Sequence, residues 1–314
     1  MKKTALLFPG QGSQYVGMGR DFLDTDSDSR ELMELASDTA KINLKKLCLE
    51  GPMEDLTSVL HLQPAMTVIN LMCLQQLKKM VPDLRPAYVA GHSLGEYSGL
   101  HGAGVLDPVA AFSLVTRRGE LMEREGSANP GGMRAVLGLT IEEVDEVING
   151  YKGGGTVVVA NHNSEKQVVI SGDENGLNGV DPILKERSAK VIALPVSVAN
   201  HSPLVAGAVP DFSSFMETVN FKRPTTPMLF NVTAGEETDP GKIKKIMAGQ
   251  IASRVRWFES VEKMIGAGVE VFVELGPKNV LTGLMKKILP KNSTIICLQA
   301  DTPEAMEKVA EQLS

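Results

Sequence analysis

The sequence has little of what secreted, membrane-spanning or metal-binding proteins need. Its three cysteines, Cys48, Cys73 and Cys297, lie far apart and form no CxxC pair, so neither a disulfide framework nor a zinc site is indicated. We expect reduced, buried thiols and no metal. No apolar run approaches the roughly 20 residues of a membrane helix, and the apolar stretch after Lys3 is too short for a signal peptide. These absences predict a cytoplasmic protein that does not associate with membranes.

The charge balance argues against a protein that binds nucleic acid. Lys and Arg number 32 against 38 Asp and Glu, which gives a formal net charge of -6, whereas binding to a phosphate backbone requires clustered positive charge. The 43% of hydrophobic and 22% of charged residues are typical of a globular protein, and no low-complexity tract interrupts them. We therefore expect the 314 residues to fold throughout.

Short apolar runs that end in glycine alternate with helical patterns along much of the chain. "TALLFPGQG" at 4–12, "AYVAGHS" at 87–93 and "VEVFVELGP" at 269–277 are such runs, and "AFSLVTRRGELMEREG" at 111–126 is a helical pattern between two of them. Alternating strands and helices predict a parallel α/β sheet, whose functional site lies beyond the carboxyl ends of the strands.

The pattern changes between residues 129 and 197, where the apolar periodicities give the order βαββαβ. That order is typical of a ferredoxin-like unit, and "SANPGG" just before it has the composition of a linker. The sequence predicts two domains: a large domain with an α/β-hydrolase-like parallel sheet, from residues 1–128 and 198–314, and an inserted ferredoxin-like small domain, residues 129–197.

"GHSLG" places Ser93 between Gly91 and Gly95, after a predicted strand and before a predicted helix. This context is typical of a nucleophile elbow, a tight turn that leaves no room for side chains at the two glycines and exposes the serine hydroxyl. The alternative is that Ser93 only caps a helix beginning at Leu94. We favour the nucleophile.

A nucleophilic serine needs a base, and five histidines are available. His92 adjoins the serine, so its side chain is expected to point elsewhere. His61 lies in an early segment without a glycine-rich turn, and His101 lies in "GLHGAG", whose small residues suit packing against the sheet. The spacing does not separate the remaining two, His162 and His201. The base is therefore one of two candidates at this point.

"FPGQGSQYVGMG" at 8–19 is rich in glycine but lacks the Gly-Lys-Ser/Thr ending of a phosphate-binding loop, and Tyr15 stands where a dinucleotide-binding fingerprint needs its third glycine. Two interpretations remain. The loop either supplies a backbone N–H to an oxyanion hole beside the elbow, or it is a turn without a ligand.

Several motifs together resemble a known family. They are, in chain order, "FPGQGSQYVGMG", "QPAM" at 63–66, "GHSLGEYSGL", "RRGELM" at 117–122, "QVVISG" at 167–172, "VSVANH" ending at His201, and "VELGPKNVLTGL" at 273–284. In this combination and order the chain resembles, over nearly its whole length, the malonyl-CoA:acyl carrier protein transacylases of bacterial fatty-acid synthesis. The combination is specific, although each motif alone is common.

The resemblance implies a role for three side chains. Ser93 corresponds to the nucleophile, His201 to its base, and Arg118 to the residue that binds the malonyl carboxylate. A planar guanidinium holds a carboxylate through two parallel hydrogen bonds, which suits that role. Adjacent helical residues point about 100° apart, so Arg117 is not expected to face the site as well.

The resemblance also implies main-chain roles for three residues. The amides of Gln11 and Leu94 correspond to the family's oxyanion hole, and the carbonyl of Gln250 corresponds to the group that orients the histidine. A carbonyl is sufficient to fix the histidine tautomer, so no carboxylate is required. The expected arrangement is a Ser–His dyad without metal or cofactor.

The implied reaction transfers malonyl from malonyl-CoA to the phosphopantetheine thiol of acyl carrier protein through a malonyl-seryl enzyme. "VSVAN" before His201 departs from the family where related transferases vary with acyl choice, which leaves open a methylmalonyl substrate. A role in polyketide synthesis is left open too. Because acyl carrier proteins are acidic, we expect docking at a basic cluster, Lys286, Lys287 and Lys291.

Two functions of other classes fit parts of the sequence. A serine esterase or thioesterase would use the same elbow and pass the acyl group to water, with Asp173 or Asp181 completing a triad. A non-catalytic module that binds acyl carrier protein would be expected to have lost Ser93, His201 or Arg118. All three are present.

Overall fold

The computed structural model describes residues 2–313, whose strands form two sheets. In chain order the strands in this range are β1 (Thr4–Phe8), β2 (Tyr88–Gly91), β3 (Gly132–Leu137), β4 (Val157–Ser164), β5 (Gln167–Gly172), β6 (Lys190–Ala193), β7 (Met228–Phe230), β8 (Gly235–Glu236), β9 (Val271–Leu275) and β10 (Ile296–Ala300). One sheet has six strands and the other has four.

The six-stranded sheet has the order β10-β9-β1-β2-β7-β8. Neighbouring strands from β10 to β7 are parallel, with Ala5 paired to Tyr88 and Thr4 to Val271, which confirms the predicted parallel sheet. The short edge strand β8 differs, since it runs antiparallel to β7. Only residues 231–234 join the two strands, and a connection that short cannot cross over to a parallel neighbour.

The four-stranded sheet has the order β4-β5-β3-β6 and is antiparallel throughout. Its strands and helices follow one another as βαββαβ, so the predicted ferredoxin-like unit is confirmed. The domain boundaries after residues 128 and 197 stay a prediction. The last part of β4 is hydrogen-bonded to a segment outside this unit: the amide of His162 donates to the carbonyl of Val255, and the amide of Val255 donates to the carbonyl of Ala160.

Helices cover both sheets. In the described range they are α1 (Arg20–Thr25), α2 (Ser27–Ala40), α3 (Leu44–Glu50), α4 (Met53–Thr57), α5 (Val59–Met80), α6 (Gly95–Gly102), α7 (Pro108–Ala128), α8 (Ile141–Gly150), α9 (Glu174–Glu186), α10 (Ala208–Glu217), α11 (Pro240–Gly249), α12 (Trp257–Gly266), α13 (Val280–Ile288) and α14 (Pro303–Leu313), with 3-10 turns at Pro203–Val205 and Gln250–Ala252. None of those described is long and apolar enough to cross a membrane.

The apolar runs read from the sequence become the centre of the fold. Every residue of β1 and β9 is buried, as expected of parallel strands with helices on both faces. The same central position places the loops after β1, β2 and β7 beside one another at the carboxyl edge of the sheet. That edge is where the chemistry is expected.

The three cysteines are free thiols, as predicted. Cys48 and Cys73 are buried, and burial raises the pKa of both thiols. The expectation of burial is wrong for Cys297, which is partly exposed. It lies on β10, an edge strand of the six-stranded sheet in the described range.

Candidate active site

The turn from β2 into α6 has the geometry of an elbow. Ser93 adopts φ 50°, in the left-handed region that non-glycine residues enter rarely. A Cβ on Gly91 would lie 2.1 Å from the carbonyl group of Gly95, and a Cβ on Gly95 would lie 2.0 Å from the carbonyl oxygen of Phe8. Both glycines are thus required by the close approach of the backbone. The Ser93 side chain does not cap α6, so the capping alternative does not hold.

The hydroxyl of Ser93 contacts a histidine from a distant part of the chain. Its Oγ lies 2.7 Å from Nε2 of His201. The other ring nitrogen, Nδ1, lies 3.0 Å from the carbonyl oxygen of Gln250 and 2.9 Å from that of Ser253. Because both oxygens only accept, Nδ1 must carry the proton. Nε2 is therefore free to accept the proton of the serine hydroxyl.

His201 is held in its neutral form. Its side chain is 4% exposed, and burial, assisted by the positive charge of Arg118, lowers its pKa to about 3. Desolvation disfavours the charged imidazolium, and a nearby cation disfavours it further. At neutral pH the ring is therefore an available proton acceptor.

Arg118 reaches the same hydroxyl from α7. Its Nη2 lies 3.3 Å from Oγ of Ser93 and 3.1 Å from Oε1 of Gln250, and its Nη1 donates to Oε1 of Gln63 at 2.8 Å. Arg117, one position earlier, points away from the site to the surface, where it is ion-paired. The helix thus presents one guanidinium to the site, as its geometry requires.

The charge of Arg118 has no direct counter-ion. The side chain is 2% exposed, and burial lowers its pKa, while an arginine still remains protonated in proteins. Between residues 2 and 313 no carboxylate forms an ion pair with it, and the ring of Tyr97 lies 5.8 Å from its Cζ. A buried guanidinium beside a nucleophile, without its own anion, is suited to bind an anionic substrate group.

Two free amides lie at the elbow. A Cβ on Gly10 would be 2.5 Å from the carbonyl oxygen of His92 and 3.5 Å from the amide nitrogen of Leu94, so only glycine allows the loop after β1 to approach this closely. Gln11 lines the same cavity as the serine. In the described part of the chain, neither the Gln11 amide nor the Leu94 amide donates a hydrogen bond to the protein. Both are available to a substrate oxygen.

The cavity above the elbow has a volume of about 180 Å³ and is formed by both sheets together with α13. Its lining comprises Gly10, Gln11, His92, Ser93, Met133, Asn161, Asn163, Gln167, Val169, Leu194, Val196, Asn200, His201, Val280, Leu281 and Leu284. The imidazole of His92 is paired with Asn163, since its Nε2 lies 2.8 Å from Oδ1 of that residue. Ser93 thus lies in a cavity that is lined by apolar and amide side chains.

The other candidate base, His162, and the two acids that an esterase triad would use, Asp173 and Asp181, have partners outside the site. His162 has its Nδ1 3.3 Å from the carboxylate of Glu259, and the structure therefore brings His201, not His162, to the serine. Asp173 caps α9 by accepting from the amide of Gly176, and Asp181 is ion-paired. Neither of these acids contacts His201.

Sequence reasoning missed the side chains that connect the dyad to the rest of the site. Asn231, which follows β7, accepts from the amide of Ser93 at 2.7 Å and donates to the carbonyl of Gly91 at 2.7 Å. Glu96, fully buried on α6, accepts from the amide of Asn231 and from Nε2 of Gln250, both at 2.8 Å. Burial raises the pKa of Glu96 to about 8, against the opposing effect of those hydrogen bonds.

Only one of these residues gave a signal in the sequence. Glu96 is a charged residue amid the small and apolar residues of "GHSLGEYSGL", and such a residue facing a core needs partners. Asn231 gave none, since its role depends on β7 pairing with β2.

Comparison with known proteins places the chain in a family. Residues 5–313 match the acyl transferase domain family. A malonyl CoA-acyl carrier protein transacylase of Bacillus subtilis is 36% identical over 315 residues, which cover 100% of this chain and 98% of that protein. The chain belongs to the malonyl-CoA:acyl carrier protein transacylase family.

Solved structures of these transacylases have the same fold. An acyl carrier protein S-malonyltransferase from Vibrio cholerae superposes with a TM-score of 0.92 at 36% identity, covering 98% of this chain and 99% of that chain. A malonyl-transacylase in complex with a type II polyketide synthase acyl-carrier protein superposes with a TM-score of 0.93 at 32% identity, covering 99% of each chain. The transacylase fold is therefore shared over nearly the whole chain.

Proposed function

We propose that the protein transfers the malonyl group from malonyl-CoA to the phosphopantetheine thiol of acyl carrier protein and so supplies fatty-acid synthesis. One observation carries the proposal: Oγ of Ser93 lies 2.7 Å from a neutral imidazole and 3.3 Å from a buried guanidinium without a counter-ion. The first contact supplies a nucleophile and its base, and the second supplies a site for the carboxylate of the acyl group.

In the first half-reaction His201 takes the hydroxyl proton on Nε2 while Oγ of Ser93 attacks the thioester carbonyl carbon. The oxyanion is stabilised by the amides of Gln11 and Leu94. The C–S bond then breaks, and the proton passes from His201 to the sulfur, so that CoA leaves as its thiol. Arg118 binds the malonyl carboxylate throughout.

The second half-reaction runs through the same groups in reverse. The carrier's thiol gives its proton to His201, its sulfur attacks the seryl ester, and the proton returns to Oγ of Ser93 as the ester bond breaks. The proposed reaction uses no metal and no cofactor beyond its two substrates. We also assign it to the cytoplasm, an assignment supported by the three free thiols.

Docking of the carrier is proposed at the end of α13. Lys286 and Lys287 lie in its last turn, Lys291 lies just beyond it, and all three are exposed. Val280 and Leu284 of the same helix line the cavity above Ser93. An acidic carrier bound to these lysines would therefore stand beside the mouth through which its pantetheine arm must pass.

Intact-protein mass spectrometry after brief mixing with malonyl-CoA or acetyl-CoA tests the proposal. We expect a malonyl adduct that exceeds the acetyl adduct, is absent in Ser93→Ala, and disappears when carrier protein is added. Arg118→Ala should form both adducts without the preference. An adduct that is hydrolysed at the same rate with and without carrier protein would instead support a thioesterase. Binding of carrier protein without any adduct would support a non-catalytic module.

A further inference from the structure

Glu96 is a buried carboxyl group that the proposed reaction does not use. It is 0% exposed and lies on the first turn of α6, three residues after Ser93. One oxygen accepts from the amide of Asn231 and the other from Nε2 of Gln250, each at 2.8 Å. Burying a carboxyl group away from water is costly, and here the group joins the elbow to the segment that holds the histidine.

The surroundings of Gln250 allow one orientation of its side-chain amide. Nε2 donates to Glu96 and, at 2.8 Å, to the carbonyl oxygen of Ser93, and Oε1 then faces Nη2 of Arg118 at 3.1 Å. With the amide reversed, Oε1 would face two acceptors and Nε2 would face a guanidinium donor. The carboxyl group of Glu96 and the carbonyl of Ser93 thus determine that the oxygen of the Gln250 amide, and not its nitrogen, faces Arg118.

We propose that Glu96 is a positioning residue for acyl-group selection: its carboxyl group fixes the orientation of the Gln250 amide, which holds the Arg118 guanidinium beside Oγ of Ser93. The intervening amide also keeps Glu96 from pairing with Arg118 directly. A direct carboxylate partner would compete with the carboxylate of the substrate. This proposal rests on the proposed function, since it concerns how that reaction selects a malonyl group.

Replacing Glu96 with the isosteric Gln tests the role. In the wild type each carboxyl oxygen of Glu96 accepts from an N–H donor, one on Asn231 and one on Gln250. A glutamine at position 96 replaces one of these oxygens with an NH2 group, which would then face an N–H donor. The amide of Asn231 belongs to the backbone and cannot turn, whereas the side chain of Gln250 can. In Glu96→Gln the Gln250 amide should therefore lose its single orientation, since residue 96 then favours the reversed amide while the carbonyl of Ser93 still accepts from Nε2. The contact of Oε1 with Arg118 is weakened as a result, while the main-chain carbonyl of Gln250 still accepts from His201.

The readout is the single-turnover rate of seryl-adduct formation with malonyl-CoA and with acetyl-CoA. We expect the malonyl:acetyl ratio of Glu96→Gln to fall by about tenfold, with the acetyl rate changed by less than about threefold. A purely structural role would lower both rates together and leave the ratio unchanged. Either an unchanged ratio or an equal loss of both rates overturns the proposal.

A matched control and a second variant complete the test. Glu274 is also a fully buried carboxyl group whose two oxygens accept from backbone amides, those of Leu281 and Thr282, so Glu274→Gln should lower the melting temperature without changing the ratio. Gln250→Met removes the bridging amide and keeps the main-chain carbonyl, and it should reproduce the fall in the ratio.

The outcomes separate this proposal from the proposed function. Gln250→Met decides the question if Glu96→Gln does not fold, and an unchanged ratio in that variant also overturns the proposal. If the wild-type protein forms no malonyl adduct on Ser93, the proposed function fails. If the wild type discriminates and both variants discriminate equally well, only the positioning role of Glu96 fails.

Discussion

Two regions of the molecule, one beside each sheet, bury different kinds of side chain. The core between the four-stranded sheet and its helices consists of buried Val, Leu, Ile and Ala side chains. The carboxyl edge of the six-stranded sheet instead buries a carboxyl group, a guanidinium and an imidazole, those of Glu96, Arg118 and His201. Groups of this kind remain buried only where they have hydrogen-bond partners, and Gln250 provides one to each of the three. The apolar core stabilises the fold, whereas the buried polar groups form the candidate active site.

The small sheet contributes to the site where it touches the large one. Asn161 and Asn163 on β4 line the cavity, and Asn163 contacts His92. The cavity therefore has two sides. The chemical side, with Ser93 and His201, belongs to the large sheet and its loops, and the covering side, with Asn161 and Asn163, belongs to the small sheet. This division can be tested by matched changes on the two sides.

The largest contrast is expected between the two histidines that spacing alone could not separate. His201→Ala should lower the rate of malonyl-adduct formation by about 10⁴-fold, since it removes the general base. His162→Ala, on β4 but outside the cavity, should change that rate by less than about threefold once the folded fraction is taken into account. The measurement is a quenched-flow time course followed by mass spectrometry. A comparable loss in both variants would contradict the assignment of the base.

Replacing a glycine of the elbow and a glycine of the small sheet's helix α8 should affect the free energy of unfolding very differently. Gly95→Ala should lower the free energy of unfolding by about 3 kcal/mol or more, because its Cβ would meet the carbonyl oxygen of Phe8 at 2.0 Å. Gly150→Ala, at the end of α8, meets nothing within 4 Å and should be neutral or stabilise by about 0.5 kcal/mol. Urea unfolding of both variants measures the difference. Equal stabilities would show that the elbow backbone can relax.

The pH dependence follows from the lowered pKa of His201. Between pH 7 and pH 5 the rate of malonyl-adduct formation should change by less than about threefold, whereas a base with the ordinary pKa of 6.5 would lose about 25-fold. The ¹⁵N shift of Nε2 should likewise report a neutral ring down to a pH near 3. An acidic limb with a midpoint near 6.5 would contradict this.

The same shift has a consequence for stability. Unfolded His201 binds a proton below pH 6.5 and the folded group does so only near pH 3, so the unfolded state binds more protons in that window. The free energy of unfolding should therefore fall as the pH drops from 6.5 towards 3. His201→Gln should lose this component, and the difference between the two proteins measures it.

The smallest effect is expected at the surface. Replacing Lys286, Lys287 and Lys291 together by Glu should raise the KM for acyl carrier protein by about tenfold and leave the KM for malonyl-CoA unchanged. The control carries the same charge change on exposed lysines of the α2–α3 surface, Lys41, Lys45 and Lys46, and should leave both values unchanged. An unaltered KM for the carrier in the first variant would remove the docking proposal.

Local patterns were enough to predict much of the fold. The apolar run of β1 and the βαββαβ order were visible because strand and helix periodicities depend on neighbouring residues. The antiparallel edge strand β8 and the exposure of Cys297 were not, since both depend on a position at the edge of a sheet. An edge is a property of the assembled sheet and leaves no local signal.

The site divides in the same way. By itself the sequence determined the elbow around Ser93, because the steric need for Gly91 and Gly95 is local to the turn. Which histidine faces that serine, which way the Gln250 amide points and which amides stay free were decided only by the tertiary structure. These features depend on groups up to 157 residues apart meeting in space, where burial shifts their pKa values and leaves each polar atom few partners.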